Sequence, residues 1–301
     1  MAKRIVLFLA LNFLVVLMIS FVLTLFNVRP YIQAYGLDYR SLLLFCSIWG
    51  MGGALISLSL SRVMAKWMMG VKIIDPNKAS GEEKGLLDTV HHLSLKAGLK
   101  SFPEVGIYRS NEPNAFATGP SQKRSLVAVS SGLLNRMNPK EMEGVLGHEI
   151  SHIANGDMVT MTLLQGVVNA FVMFLARVLA YVVSGLGRNN RQGSQGISMS
   201  YILFVYLFEV VFMILGSLVV AAYSRYREYR ADRGGARLAG KGAMISSLKA
   251  LRSMQEIQDP KEQPAMAAFK ISHRGQKGLF RLFASHPPLD ERIARLEKLP
   301  A

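Results

Sequence analysis

Four stretches of the chain are almost free of polar side chains: residues 5–26, 42–60, 158–184 and 201–223. Each is long enough to cross a bilayer as a helix, which takes about 18–20 residues. The first follows Lys3 and Arg4. It is too long for the apolar part of a signal peptide and lacks a small-x-small cleavage site, so it is expected to stay as a span. The third and fourth carry Arg177 and Glu209. A charge in hydrocarbon is costly, so these two either pair across a hairpin or mark segments that dip into the interface; crossing is the expectation. Elsewhere the pattern changes. Apolar residues recur at helical spacing over 82–97 and 139–155. The runs 104–109 and 125–129 alternate like strands. Pro287 and Pro288 lead a final helix reaching Leu299. The expected fold is mainly α with a small β-sheet, and it includes four transmembrane helices. The expected parts are two leading spans in 1–60, a polar block at 61–157, a membrane hairpin at 158–223 and a second polar block at 224–301.

Charge then gives an orientation. The 301 residues include 35 Lys and Arg against 20 Asp and Glu, a formal net charge of +15. Nucleic acid is not the expected partner, because the basic residues form no reading helix with interleaved aromatics. They sit instead beside the spans. Arg62, Lys66 and Lys72 follow the second, and Arg225, Arg227 and Arg230 follow the fourth. The short connections on the other side carry Arg29, Arg40, Arg188 and Arg191 with Asp38. Cytoplasmic loops hold the excess of Lys and Arg, so both termini and both polar blocks are expected in the cytoplasm. The single cysteine, Cys46, lies in an apolar run and can form no disulfide within the chain.

The chemistry concentrates in His148-Glu149-Ile150-Ser151-His152. One helical turn separates the two histidines, so both imidazoles point the same way and can share a metal ion. Glu149 between them can act as general base on a water. Asn138-Pro139 starts this helix, Val145, Leu146, Ile150 and Ile153 give it a buried stripe, and Asn155-Gly156 stops it. A catalytic zinc needs a third protein ligand. Metzincins place a glycine and then a third histidine further along; here those positions hold Asn155 and Met158. Glu228, just past the fourth span, is the better candidate, because a hairpin returns it toward His152. Asp232 shares its helical face and can accept the free N–H of a ligand histidine.

This HEISH helix, followed by two spans and then EYRAD, resembles the HtpX-like membrane zinc metalloproteases, relatives of the CAAX prenyl proteases. The resemblance covers nearly the whole chain. It implies a gluzincin-type zinc endopeptidase of the bacterial inner membrane with a cytoplasmic active site and one Zn2+ per chain. Its substrates would be polypeptides, damaged or misfolded membrane proteins among them, in stress response and quality control. Asn114, Ala115, Phe116, Ala117, Thr118 and Gly119 look like the family's edge strand, which pairs with the extended substrate backbone. The plainer alternative is a structural strand ended by a turn at Gly119-Pro120. The resemblance also returns His286 and Arg292 to the site. His286 would stabilise the oxyanion, and Arg292 would pair with the metal-binding carboxylate or hold the substrate. Two rival classes are a membrane transporter and a non-cleaving scaffold with a structural zinc. His91, His92 and His273 are given no role. Residues 185–195 read as a flexible turn and 259–276 as a lid or linker. Oligomeric state is not legible.

Overall fold

The structure is a computed structural model that describes residues 32–33, 36–186, 199–257 and 282–300. The first predicted span, residues 187–195 of the predicted turn, and the 259–276 stretch lie outside the described residues. In chain order the elements begin with β1 (Ile32–Gln33), β2 (Gly36–Leu37), α1 (Tyr39–Met68), β3 (Lys72–Ile73), α2 (Gly81–Lys96), β4 (Glu104–Tyr108) and β5 (Ala115–Ser121). They continue with β6 (Arg124–Ser130), α3 (Ser131–Leu134), α4 (Pro139–Asn155), α5 (Asp157–Leu186), α6 (Met199–Ala239), α7 (Lys241–Ile257) and α8 (Leu289–Glu297). Two compact units emerge: residues 1–57 with 161–220, and residues 58–160 with 221–301.

The first unit takes its described helices from α1, α5 and α6. Among the described residues these three helices are long and apolar enough to cross a membrane. Their apolar side chains are largely uncovered, as at Phe171, Leu203 and Met213, which is what a helix surrounded by lipid requires. Small residues set the contact between α1 and α5. A Cβ on Gly50 would lie 2.5 Å from the Ala170 backbone nitrogen, so only glycine permits that approach. Arg177 Nη1 donates to Glu209 Oε1 at 2.6 Å and to the Met173 carbonyl at 3.1 Å. Its guanidinium also lies 5.6 Å from the Phe45 ring centroid. The two charges on these apolar helices therefore meet, which is the pairing weighed from the sequence as one of the possibilities.

The second unit is built on a four-stranded sheet of order β3-β4-β6-β5. β4 and β6 are parallel, and the outer strands are antiparallel to their neighbours. β6 is the apolar centre, with Leu126, Val127, Ala128 and Val129 fully buried. α2 and α4 cover one side, where Val90, Leu93, Leu146, Ile150 and Ile153 pack with Val127, Val129 and Leu133. The turn that the plainer alternative placed at Gly119-Pro120 is absent. β5 runs on through both residues to Ser121, with a bulge between Thr118 and Ser121. The reason is local: Gly119 has φ +141, and a Cβ there would meet the Arg124 carbonyl oxygen at 2.1 Å. Glycine lets the strand bend against β6 where any other residue would force a turn. β5 is an edge strand, paired on one side only among the described residues.

Candidate metal centre and active site

The sequence of α4 fixes the helix at both ends. The Asn138 side chain accepts from Glu141 N at 3.0 Å, and Glu141 Oε2 accepts from Asn138 N at 3.1 Å, a reciprocal capping box. Gly156 ends it in the left-handed region at φ 67. Ile150 and Ile153 anchor one face in the core, which turns His148 and His152 together toward α6.

Small residues bring the two helices unusually close. A Cβ on Gly235 would stand 3.0 Å from His148 N, and one on Gly234 would stand 2.4 Å from Ser151 Oγ. At this crossing the side chain of Glu228 reaches both imidazoles. Nε2 of His148 and Nε2 of His152 are 3.1 Å apart. Glu228 Oε2 is 3.4 Å from the first and Oε1 is 3.3 Å from the second. Ligands about 2.0–2.1 Å from a tetrahedral ion stand roughly 3.3 Å from one another. Each separation is close to that value, with the two imidazoles meeting different oxygens of Glu228, and one donor atom from each of the three residues lies within 4.8 Å of the other two. Glu228 is 1% exposed. Among the described residues its Oε2 has no well-angled hydrogen bond, although His286 Nδ1 stands 2.9 Å away. A buried carboxylate and two imidazole nitrogens facing a common point fit a divalent cation.

A carboxylate stands behind each imidazole. Asp232 Oδ1 lies 3.0 Å from His148 Nδ1, and Asp157 Oδ2 lies 2.6 Å from His152 Nδ1. Each carboxylate is held in turn by an arginine. Arg292 donates to both oxygens of Asp232, at 2.6 and 2.8 Å, and Arg230 donates to Asp157 Oδ1. With Nδ1 committed to a carboxylate, Nε2 is left available to a metal ion.

The electrostatics follow from these contacts. Burial would push the Glu228 carboxyl up, but His148, His152 and His286 together hold it far below the usual carboxylate range. Burial would also lower His148, yet Asp232 and Glu228 outweigh it and raise the imidazole to about 9. Asp232, pushed up by burial, is brought down to about 2, first by Arg292 and then by His148.

Of the residues expected from the sequence, His148, His152, Glu228, Asp232 and Arg292 come together as one buried cluster. Arg292 Nη1 is 3.6 Å from Glu228 Oε2, and its stronger contact is with Asp232. His286 is exposed beside Glu228, its side chain 61% open to solvent. Glu149 is half-buried and shares a cavity with Asn114, Ala115, His148 and His286. Phe116 to Gly119 continue along β5, and Phe116 packs 5.7 Å from the Tyr108 ring. His91 stacks on Phe102 at 4.3 Å. The segment bearing His286 and Arg292 is tied to α6. Arg225 donates to the carbonyls of Leu282 and Ala284 at 2.7 and 3.0 Å, and Tyr229 Oη donates to Glu291 at 2.6 Å.

Asp157 and Arg230 escaped the sequence reading. Asp157 is completely buried, but in sequence it is only an acidic residue opening a helix, which the helix dipole accounts for by itself. Arg230 counted only toward membrane orientation.

Comparison with known proteins agrees with this geometry. Residues 81–300 match Peptidase family M48. The Protease HtpX homologs of Bacillus velezensis and Bacillus subtilis are each 50% identical to this chain, covering 99% of both partners. Protease HtpX of Chromohalobacter salexigens is 49% identical over 98% of both. Among solved structures, S. mikatae Ste24p matches 98% of this chain with a TM-score of 0.66 at 18% identity. This chain spans 65% of the length of that protein, and the likeness is one of fold. With relatives this similar along their whole length, the chain belongs to peptidase family M48 and is a membrane metalloprotease.

Proposed function

We propose that the protein is a zinc endopeptidase of the bacterial inner membrane, with its catalytic residues on the cytoplasmic side. The observation that carries this is the buried trio of donors, His148 Nε2, His152 Nε2 and the Glu228 carboxylate, gathered within 4.8 Å of one another beside Glu149. Held by His148, His152 and Glu228, zinc would polarise the scissile carbonyl and make a water acidic enough to be deprotonated near neutral pH. Glu149 takes that proton and later delivers it to the leaving amine. Asp232 and Asp157 hold the two imidazoles in the tautomer that leaves Nε2 free. Arg292 keeps Asp232 ionised in a buried setting and adds positive charge near Glu228. His286, partly open to solvent, donates to the oxyanion as it forms. The outer edge of β5, entered through Asn114, Ala115, Phe116, Ala117, Thr118 and Gly119, pairs with the substrate backbone.

Backbone pairing reads extended chain rather than sequence. Damaged or misfolded polypeptides, membrane proteins among them, are therefore the proposed substrates; the relatives' printed name says protease. The proposed division of labour gives 1–60 and 158–223 to the bilayer and gives 61–157 and 224–301 to catalysis. Replacing Glu149 by Gln is the direct test. The variant should keep zinc after dialysis, by elemental analysis, and lose cleavage of unfolded casein by at least about a hundredfold. A variant that cuts at the parent rate would refute the assignment.

A further inference from the structure

His286 reaches Glu228 from irregular chain rather than from a helix. Leu282 and Phe283, shortly before it, are exposed, so apolar burial gives this stretch little hold. The place of the imidazole is therefore set by the backbone on either side. After His286 comes Pro287, which is buried and whose ring fixes φ. Before it comes a clamp. Nη1 of Arg225 donates to the Leu282 carbonyl at 2.7 Å and to the Ala284 carbonyl at 3.0 Å. A charged donor makes both bonds stronger than neutral ones would be.

The clamp comes from the helix that carries the metal-site carboxylate. Arg225 stands three residues before Glu228 on α6, close to one turn, so the two side chains leave the same face. Tyr229 and Asp232 continue that face. Tyr229 Oη donates to Glu291 and Asp232 accepts from Arg292, both on α8. α6 thus grips the returning chain at Arg225 before His286 and at Tyr229 and Asp232 after it. His286 is strung between the two grips and aligned on the helix that presents Glu228. Membrane orientation alone accounts for an arginine here, but a charge serving only that purpose needs no carbonyl partners.

We propose that Arg225 is a positioning residue for peptide hydrolysis: by holding the carbonyls of Leu282 and Ala284, it places the His286 imidazole where the oxyanion forms. The inference rests on the peptidase reading above and on the role given there to His286. An imidazole displaced by about 1 Å donates poorly in the transition state, while the metal donors and the β5 edge stay as they were. The loss then falls on kcat rather than on KM.

The test uses full-length, detergent-solubilised, zinc-loaded protein and fluorescently labelled casein. Arg225→Met keeps an apolar stem and removes the donors. His286→Ala should lower kcat by about a hundredfold or more. Arg225→Met should lower kcat by about tenfold or more, with zinc content unchanged. Its KM should change by less than about twofold. In the double variant, Arg225→Met should cost less than about twofold beyond His286→Ala, because the group it positions is gone. Arg225→Lys keeps a charged donor and should recover part of the rate. If the Met variant fails to fold, Arg225→Lys takes its place in the cycle, with a smaller loss that also vanishes beside His286→Ala. Parent kcat in Arg225→Met overturns the proposal. So do loss of zinc, and equal losses with and without His286. Parent kcat in His286→Ala removes the role of His286 and the proposal with it. If His286→Ala is impaired and Arg225→Met is not, only the positioning role falls. Failure of the parent protein to cut casein removes the peptidase reading itself.

Discussion

Each imidazole of the proposed metal site is backed by a carboxylate, and each carboxylate by an arginine. This chain of contacts decides which nitrogen is available. It predicts that Asp157→Asn, nearly the same shape without the charge, will weaken zinc binding by about ten- to a hundredfold in a chelator competition. The circular dichroism of the helices should stay unchanged. Unaltered zinc affinity would mean that Asp157 only caps a helix. The raised His148 makes a second prediction, for metal-free protein. Its folded value of about 9 lies above its ordinary 6.5. The stability it contributes is therefore whole below pH 6.5 and is lost as pH rises through about 9. Chelated protein should melt at a lower temperature at about pH 9.5 than at about pH 6. Zinc should reverse this dependence, because it binds only neutral imidazoles and so holds the fold more strongly as pH rises past about 6.5. His148, Glu149 and His152 were legible from spacing alone, and Glu228 and Asp232 from one helical turn plus a hairpin. Asp157 and Arg230 were not. Their contact crosses 73 residues, and neither residue type is unusual where it stands.

Among the elements, the crossing of α4 and α6 positions the donors, and small residues set its distance. Gly235→Val should push His148 and Glu228 apart, because its Cβ has only 3.0 Å to the His148 backbone. The expected result is zinc loss together with a lower melting temperature. Retained zinc would show that the helices can separate without opening the site. Ile150→Ala, by contrast, removes core packing beneath the motif and should cost about 2–5 kcal/mol of stability. The helices were readable because their apolar stripes and caps agree: α2 and α4 begin and end within a residue or so of their predicted limits. β5 was less readable. Gly119-Pro120 signals a turn by propensity, and only the closeness of Arg124 makes the same glycine a bend within a strand. The pairing of Arg177 with Glu209 removes the observation that most favoured a transport pathway, since the two charges neutralise one another.

At the scale of the molecule, the sequence pattern and the charge asymmetry say more than any contact. Long apolar helices and a surplus of fifteen positive charges together predict the side on which the catalytic unit lies. A cysteine introduced by Lys100→Cys, in a Cys46→Ser background, should react with a membrane-impermeant maleimide only after the inner membrane is opened. Labelling of intact spheroplasts would reverse the orientation. The architecture was legible at this scale because the order of spans, HEISH helix and EYRAD helix is itself distinctive.

The most direct measurement is the position of the metal. Crystals or frozen particles of the Glu149→Gln protein, loaded with zinc, should give a single strong zinc peak, identified in crystals by anomalous scattering at the zinc edge. The account predicts that peak within bonding distance of His148 Nε2, His152 Nε2 and the Glu228 carboxylate, with Asp157 and Asp232 behind the imidazoles. A peak bound to Asp157 or Asp232, or one with Glu228 turned away, would contradict it.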